Sequence, residues 1–413
     1  MKQILIFTCL LLFGCKQVSK ESAVSEIAEE SSFEKIIIID PIDENVVLKY
    51  SDIYEDIQYV KLETRSDNLI GRIDKIITTD DKFIILDIAI ARKVFIFDRS
   101  GKFLNIIGKN GEGPGEYDSP NDIAYDEYND ELLVWCHNKK TIMKFRLDGT
   151  FVKGIKIDWW ASSIYVVGEN LYLAYLNNYT QGRGKINDYN ILIYDDDGNV
   201  VSRLLPYNKE KIVMSPPSGT IFSTFQQELL FAPYYSNMTF RIDLDSAKIQ
   251  NKYYFDFGEH NIPRSLFDHS VTPKEFDKTV RGDSNYAFNI TFIETSSHIV
   301  NLFVYKRRIY TCIHSKESGI TRFASVFFND IRYLHSGGMI YTCKDNLLIG
   351  CVEPKGFVEL QSTVKEIKKS SDNIKEVMLK KMKTPSFLFG NELNDNFPKV
   401  INSSTITLSE KEI

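Results

Sequence analysis

The chain has 413 residues, of which 43% are hydrophobic and 26% charged, with 27 Phe and 22 Tyr against only 12 Pro. This composition excludes a disordered or collagen-like chain and leans towards strand formers. A formal charge of −6 provides no basic face for phosphates, so nucleic acid is excluded as an expected partner.

The N-terminus reads as an address. Met1-Lys2-Gln3 is a short positive start, and the ten-residue apolar run Ile4–Phe13 is too short to span a bilayer but suits the core of a signal peptide. Leu12-Phe13-Gly14-Cys15 resembles a bacterial lipobox, with Phe13 where a small residue is usual. The resemblance implies that residues 1–14 are removed and that Cys15 is lipidated, tying the protein to a membrane. Several acyl chains on one cysteine anchor stably where one binds marginally. Residues 16–35 are polar and Ser/Glu-rich, so 15–40 is expected to be the lipidated cysteine and a flexible tether, ahead of a single domain over 41–413. Cys136, Cys312, Cys343 and Cys351 show no Cys-x-x-Cys pair and no zinc-ligand spacing, and their state as a bridge or as buried thiols stays open.

The body of the chain repeats. Ile84-Ile85-Leu86, Val94-Phe95-Ile96-Phe97 and Ser100-Gly101-Lys102-Phe103 superpose, 48 residues on, with Leu132-Leu133-Val134, Ile142-Met143-Lys144-Phe145 and Asp148-Gly149-Thr150-Phe151. Each unit reads as strand, polar loop, strand, tight turn, strand, with Ser-Gly and Asp-Gly suited to two-residue hairpin turns. A third unit runs through Leu171–Leu176, Ile191–Asp195 and Val200–Leu204, with Asp195-Asp196-Asp197-Gly198 as a turn rather than a calcium loop. A fourth covers Glu228–Ala232, Thr239–Leu244 and Lys248–Asp256; a fifth covers Val300–Val304, Arg308–Ile313 and Thr321–Phe328; Met339–Thr342 and Asn346–Val352 begin a sixth. Periods of 40–50 residues with about four short strands each mark a β-propeller. Ile57–Leu62 and Lys399–Leu408 would complete the last blade and leave no open edge. The expected fold is all-β, a six-bladed propeller of four-stranded antiparallel blades, with five and seven blades as alternatives. Two helical insertions are expected, near 258–290, where Thr272-Pro273-Lys274-Glu275 forms a capping box, and near 360–383.

Three segments carry a family resemblance: "DIQYVKLETRSDNLIGRIDKI" (Asp56–Ile76), "IFDRSGKFLNIIGKNGEGPGEYDSPNDIAYD" (Ile96–Asp126) and "LNDNFPKV" (Leu393–Val400), the last interrupted by Phe397. The chain resembles the six-bladed β-propeller lipoproteins of Bacteroidota, which are themselves similar to NHL-repeat propellers. The resemblance implies a lipid anchor and a place in the cell envelope, at the outer membrane, facing periplasm or exterior. It supplies no activity.

The glycine run Gly108–Gly115 lacks both the Gly-Lys-Ser/Thr of a phosphate loop and a following helix, so it reads as a turn between blades. Strand-two-to-three loops and blade-to-blade connections fall on one face. There Tyr117, His137, Tyr179, Arg183, Tyr189, Tyr234 and Tyr235 are the candidate ligand contacts, a mixture suited to a glycan or peptide. No cofactor and no metal site are expected, and no nucleophile motif occurs. The expected function is a non-enzymatic binding or scaffold module of the envelope, engaging a protein, peptide or glycan. The alternative is a metal-dependent propeller lyase or hydrolase. Some NHL-type lyases hold an axial zinc by histidines of different blades, and His137 and His314 would have to share a face for this.

Overall fold

The computed structural model describes residues 33–54 apart from 41 and 43–45, then 56–177, 188–206, 221–267, 271–281, 285–328, 339–344 and 347–352, and the backbone of 405–410. The expectations for residues 1–32, including Cys15, for the helix at 360–383 and for Leu393–Val400 lie outside this range.

The fold is an all-β propeller. Five sheets have four strands each. The first is Lys75–Thr78, Lys82–Asp87, Lys93–Asp98 and Phe103–Ile107. The second is Asp122–Asp126, Glu131–Cys136, Thr141–Arg146 and Phe151–Lys156. Next comes Ser163–Gly168, Leu171–Tyr175, Tyr189–Asp195 and Val200–Pro206. Ala287–Glu294, His298–Tyr305, Arg308–Ser315 and Thr321–Ala324 make another. The last joins Met339–Lys344 and Leu347–Val352 to Thr405–Glu410 and, from the far end of the chain, Asp56–Lys61. A further sheet has five strands: Phe222–Phe225, Glu228–Phe231, Met238–Asp243 and Lys248–Asp256, with Lys35–Ile38 added in parallel on the outside.

First strands of neighbouring sheets touch, from Lys75–Thr78 through Asp122–Asp126 to Ser163–Gly168, and from Phe222–Phe225 through Ala287–Glu294 and Met339–Lys344 back to Lys75–Thr78. The mixed last sheet thus closes the ring with both chain ends, which removes an exposed edge. Apolar clusters fill the spaces between sheets, as where Trp135, Ile142 and Ile155 meet Tyr172, Ala174 and Leu192.

Three expectations change. The tight turns are three-residue loops, not two-residue ones. Asp98 N bonds to Lys102 O at 2.9 Å, Gly101 N to Asp98 O at 3.0 Å, and Gly101 takes φ +88°; Gly149 and Gly198 repeat this at φ +92° and +85°. A type I turn followed by a left-handed glycine makes this loop and its bulge, and the register shifts at Ile96/Phe97, Lys144/Phe145 and Ile193/Tyr194. A Cβ on Gly101 would also lie 2.2 Å from the Lys61 carbonyl oxygen of the closing strand. Second, the insertion after Asp256 is shorter, because Ala287–Glu294 is the innermost strand of its sheet, buried along its whole length. Third, residues 35–38, assigned to the tether, form an edge strand. The capping box holds: Thr272 N and Oγ1 donate to Glu275 Oε2 at 2.9 and 2.7 Å, Glu275 N donates to Thr272 Oγ1 at 3.2 Å, and helix Pro273–Arg281 follows. Cys351 stands opposite Met339 and Cys343 opposite Leu348, so the register puts them on separate rungs.

Candidate functional site

The glycine run closes on itself. Lys109–Asn110 pairs in parallel with Glu116–Tyr117, Gly113 N donates to Glu116 Oε2 at 2.9 Å, and Lys139 Nζ donates to the Gly111 and Glu116 carbonyls at 2.8 Å each. The amides of Gly111, Gly113 and Glu116 are committed within the loop rather than presented to an anion.

Beside it, on the same face, His137 opens the turn between strands Glu131–Cys136 and Thr141–Arg146. The turn is held where it starts, since His137 N donates to Asn121 Oδ1 at 2.7 Å. The imidazole stands edge-on to two indoles, Trp135 at 6.3 Å and Trp160 at 5.8 Å between ring centroids. Trp135 is buried and donates Nε1–H to the Ala161 carbonyl at 2.9 Å; Trp159 is buried against Tyr194 at 5.2 Å. These anchors leave Trp160 partly exposed. His137 Nδ1 is buried with no hydrogen-bond partner. Burial, helped by the nearby Lys140 charge and opposed by Asp118, lowers the imidazole below its ordinary pKa, so the ring is neutral at pH 7. Asp118 accepts from Asn138 Nδ2 and from Ser119 N. Tyr189, partly buried, packs on the same apolar cluster as Trp160. A partly exposed indole, a neutral imidazole and an amide–carboxylate pair can stack on and hydrogen-bond a polar ring or a peptide plane.

The model of the domain of unknown function DUF4934 matches residues 33–382, most of the chain. The chain belongs to the DUF4934 family. No curated protein matches it by sequence. Its fold is similar to that of a Bacteroides fragilis protein described as a candidate exported protein, at 14% identity and a TM-score of 0.64, covering 92% of this chain and 100% of the other. A DUF4221 family member from Bacteroides vulgatus matches at 9% identity and a TM-score of 0.43, covering 67% and 85%.

Within this DUF4934 domain the expected contacts separate. His137 and Tyr189 lie on the loop face, and of the two it is the His137 ring that stands 5.8 Å from the Trp160 ring. Tyr179 and Arg183 fall outside the described residues. Tyr117 is 2% exposed and donates its hydroxyl to the Ile107 carbonyl; it is the wedge of the glycine loop, not a ligand contact. Tyr235, 3% exposed, packs 4.7 Å from Phe288 and 5.1 Å from Phe276, pinning the insertion helix to its sheet, and the partly buried Tyr234 stands 5.3 Å from it. Both tyrosines are loop residues by sequence, yet fold-forming by packing. His314 does not join His137. It sits near the far end of strand Arg308–Ser315, 3% exposed, its Nδ1 2.9 Å from Thr321 Oγ1, on the side of the opposite hairpins. Trp160 is the residue missed by sequence reasoning; Trp159-Trp160, two of only three tryptophans, was its signal.

Proposed function

We propose that this DUF4934 chain is an exported, lipid-anchored, non-enzymatic binding propeller that holds a glycan on its loop face. We count the ring as six-bladed, taking the five-stranded sheet as a blade with an added outer strand. The observation that carries the ligand reading is the His137 ring, edge-on to two indoles of which one, Trp160, is partly exposed. Such a site gains by stacking a ligand ring on the partly exposed indole. Export is supported by the signal-like start and by the description of the Bacteroides fragilis relative.

The reading has two tests. Cys15→Ser moves the protein from the membrane to the soluble fraction; retention at the membrane would sink the anchor. On a glycan array the mature chain binds a defined subset of sugars, and Trp160→Ala weakens that binding by roughly tenfold. A blank array, or a variant that binds as the parent does, would sink the glycan reading.

A further inference from the structure

On the face opposite the glycine loop, a cavity of about 360 Å³ lies between the sheets 222–256 and 287–324, with the start of the N-terminal strand as a third wall. Its residues come from the hairpin ends of both sheets. A row of six charged side chains, five of them lining the cavity and Arg241 beside it, alternates in sign. Glu34 Oε1 is 3.3 Å from Arg241, which is 2.8 Å from Glu228 Oε1; Glu228 also meets Lys252, Lys252 Nζ is 3.1 Å from Glu294 Oε2, and Glu294 Oε1 is 2.8 Å from Lys316 Nζ. Lys252 and Glu294 have side chains only 5% and 3% exposed. A buried ion pair seldom outdoes an apolar filling of the same space, so stability alone does not account for this row. Glu294 Oε2 is buried, with the Lys252 ammonium as its ion-pair partner. Lys316 Nζ rides 3.9 Å above the Phe225 ring, which also lines the cavity.

The space exists because one layer of side chains is missing. Ile299, second in its strand and opposite His314, lines the cavity. The same positions in sheet 163–206 hold Tyr172 opposite Tyr194, both fully buried, and they fill the corresponding gap.

The geometry points to a binding site for a compact zwitterion, a free α-amino acid or a short peptide with both termini charged. Lys35, Lys252 and Lys316 balance Glu34, Glu228 and Glu294 around the cavity, which disfavours a polyanion or a polycation and provides both signs within one ligand's length. The ligand ammonium faces Glu34 and Glu228, whose side chains line the cavity and are 45% and 31% exposed, and its carboxylate faces Lys35 and Lys316. The volume is at the small end of ligand pockets and suits a dipeptide, not a folded partner. This site stands apart from the loop face and does not depend on the glycan reading.

The test is calorimetric titration of the mature chain with L-alanyl-L-alanine and, separately, with individual free L-amino acids. Saturable one-site binding is expected for at least one of them, weakened roughly tenfold or more when its amine is acetylated or its carboxylate amidated. Ile299→Tyr, which installs the residue found at the equivalent position of sheet 163–206, abolishes binding. Lys35→Gln, at the outer edge strand, weakens it, and circular dichroism verifies that both variants are folded. The proposal is overturned if no zwitterion binds, if the blocked forms bind as tightly, or if folded Ile299→Tyr binds unchanged.

Discussion

Lys144 and Lys252 are both ammonium groups buried between neighbouring sheets, with side chains 4% and 5% exposed, and their surroundings differ. A Glu–cation pair recurs beside both, although Lys144 stands on the third strand of its sheet and Lys252 on the fourth. In sheet 122–156, Glu131 begins the second strand and pairs at 2.7 Å with Lys144 of the third; in sheet 222–256 the same positions hold Glu228 and Arg241, paired at 2.8 Å. Around Lys144 the next sheet supplies Asp196 at 2.9 Å and the Tyr172 hydroxyl at 3.1 Å, and the tyrosine ring lies over the ammonium. Around Lys252 the next sheet supplies Glu294, while Ile299 stands in the place of the tyrosine and a cavity remains. The repeat therefore carries the charges, and one apolar or aromatic neighbour decides whether they close a seam or line a pocket.

The largest effect that would sharpen this contrast is removal of each lysine. Burial works against the Lys144 ammonium, but the hydrogen bonds it donates to Glu131 and Asp196 carry it above its ordinary pKa, so it stays charged and its loss leaves the largely buried Glu131 without its cation, while Asp196 keeps Lys153 at 2.6 Å. Lys144→Met is expected to lower the unfolding free energy by about 4 kcal/mol in urea denaturation. Lys252→Met leaves Glu228 and Glu294 facing a cavity that water can enter, and is expected to cost about 2 kcal/mol. Equal losses would mean that the cavity gives those carboxylates no solvation, and the contrast would fail.

Much of the ring was legible before any coordinates. The 48-residue repeat carries it because each unit keeps a buried strand pair and an Asp or Ser before a left-handed glycine. Ala287–Glu294 escaped because an innermost strand is buried on both faces and shows no alternation. Lys35–Ile38 escaped because a parallel edge strand has no hairpin partner to announce it. The loop face was legible in His137 and Tyr189, but Tyr117 and Tyr235 look the same in sequence as exposed tyrosines, and only packing separates them. The cavity was not legible at all. Its charges come from residues 34, 35, 228, 252, 294 and 316, and no local pattern tells that Ile299 fails to fill the gap between them.

The same substitution predicts a difference in acid response. Where Tyr194 fills its site, His314 stands at the equivalent position, and burial, reinforced by the Lys35 and His298 charges, pushes its imidazole down to about 4. The unfolded chain binds this proton near pH 6.5 and the folded chain does not, so the stabilisation is complete above pH 6.5 and is lost as pH falls towards 4. The loss amounts to about 3 kcal/mol by pH 4, on top of the titration of carboxylates common to both states. His314→Gln keeps a side chain able to bond Thr321 Oγ1 and has no proton to take up. Its unfolding free energy, measured from pH 7 to pH 4, is expected to fall less steeply than that of the parent by that amount. Parallel pH profiles would show that His314 is protonated at no cost, and that the open site admits charge where the tyrosine-filled one does not.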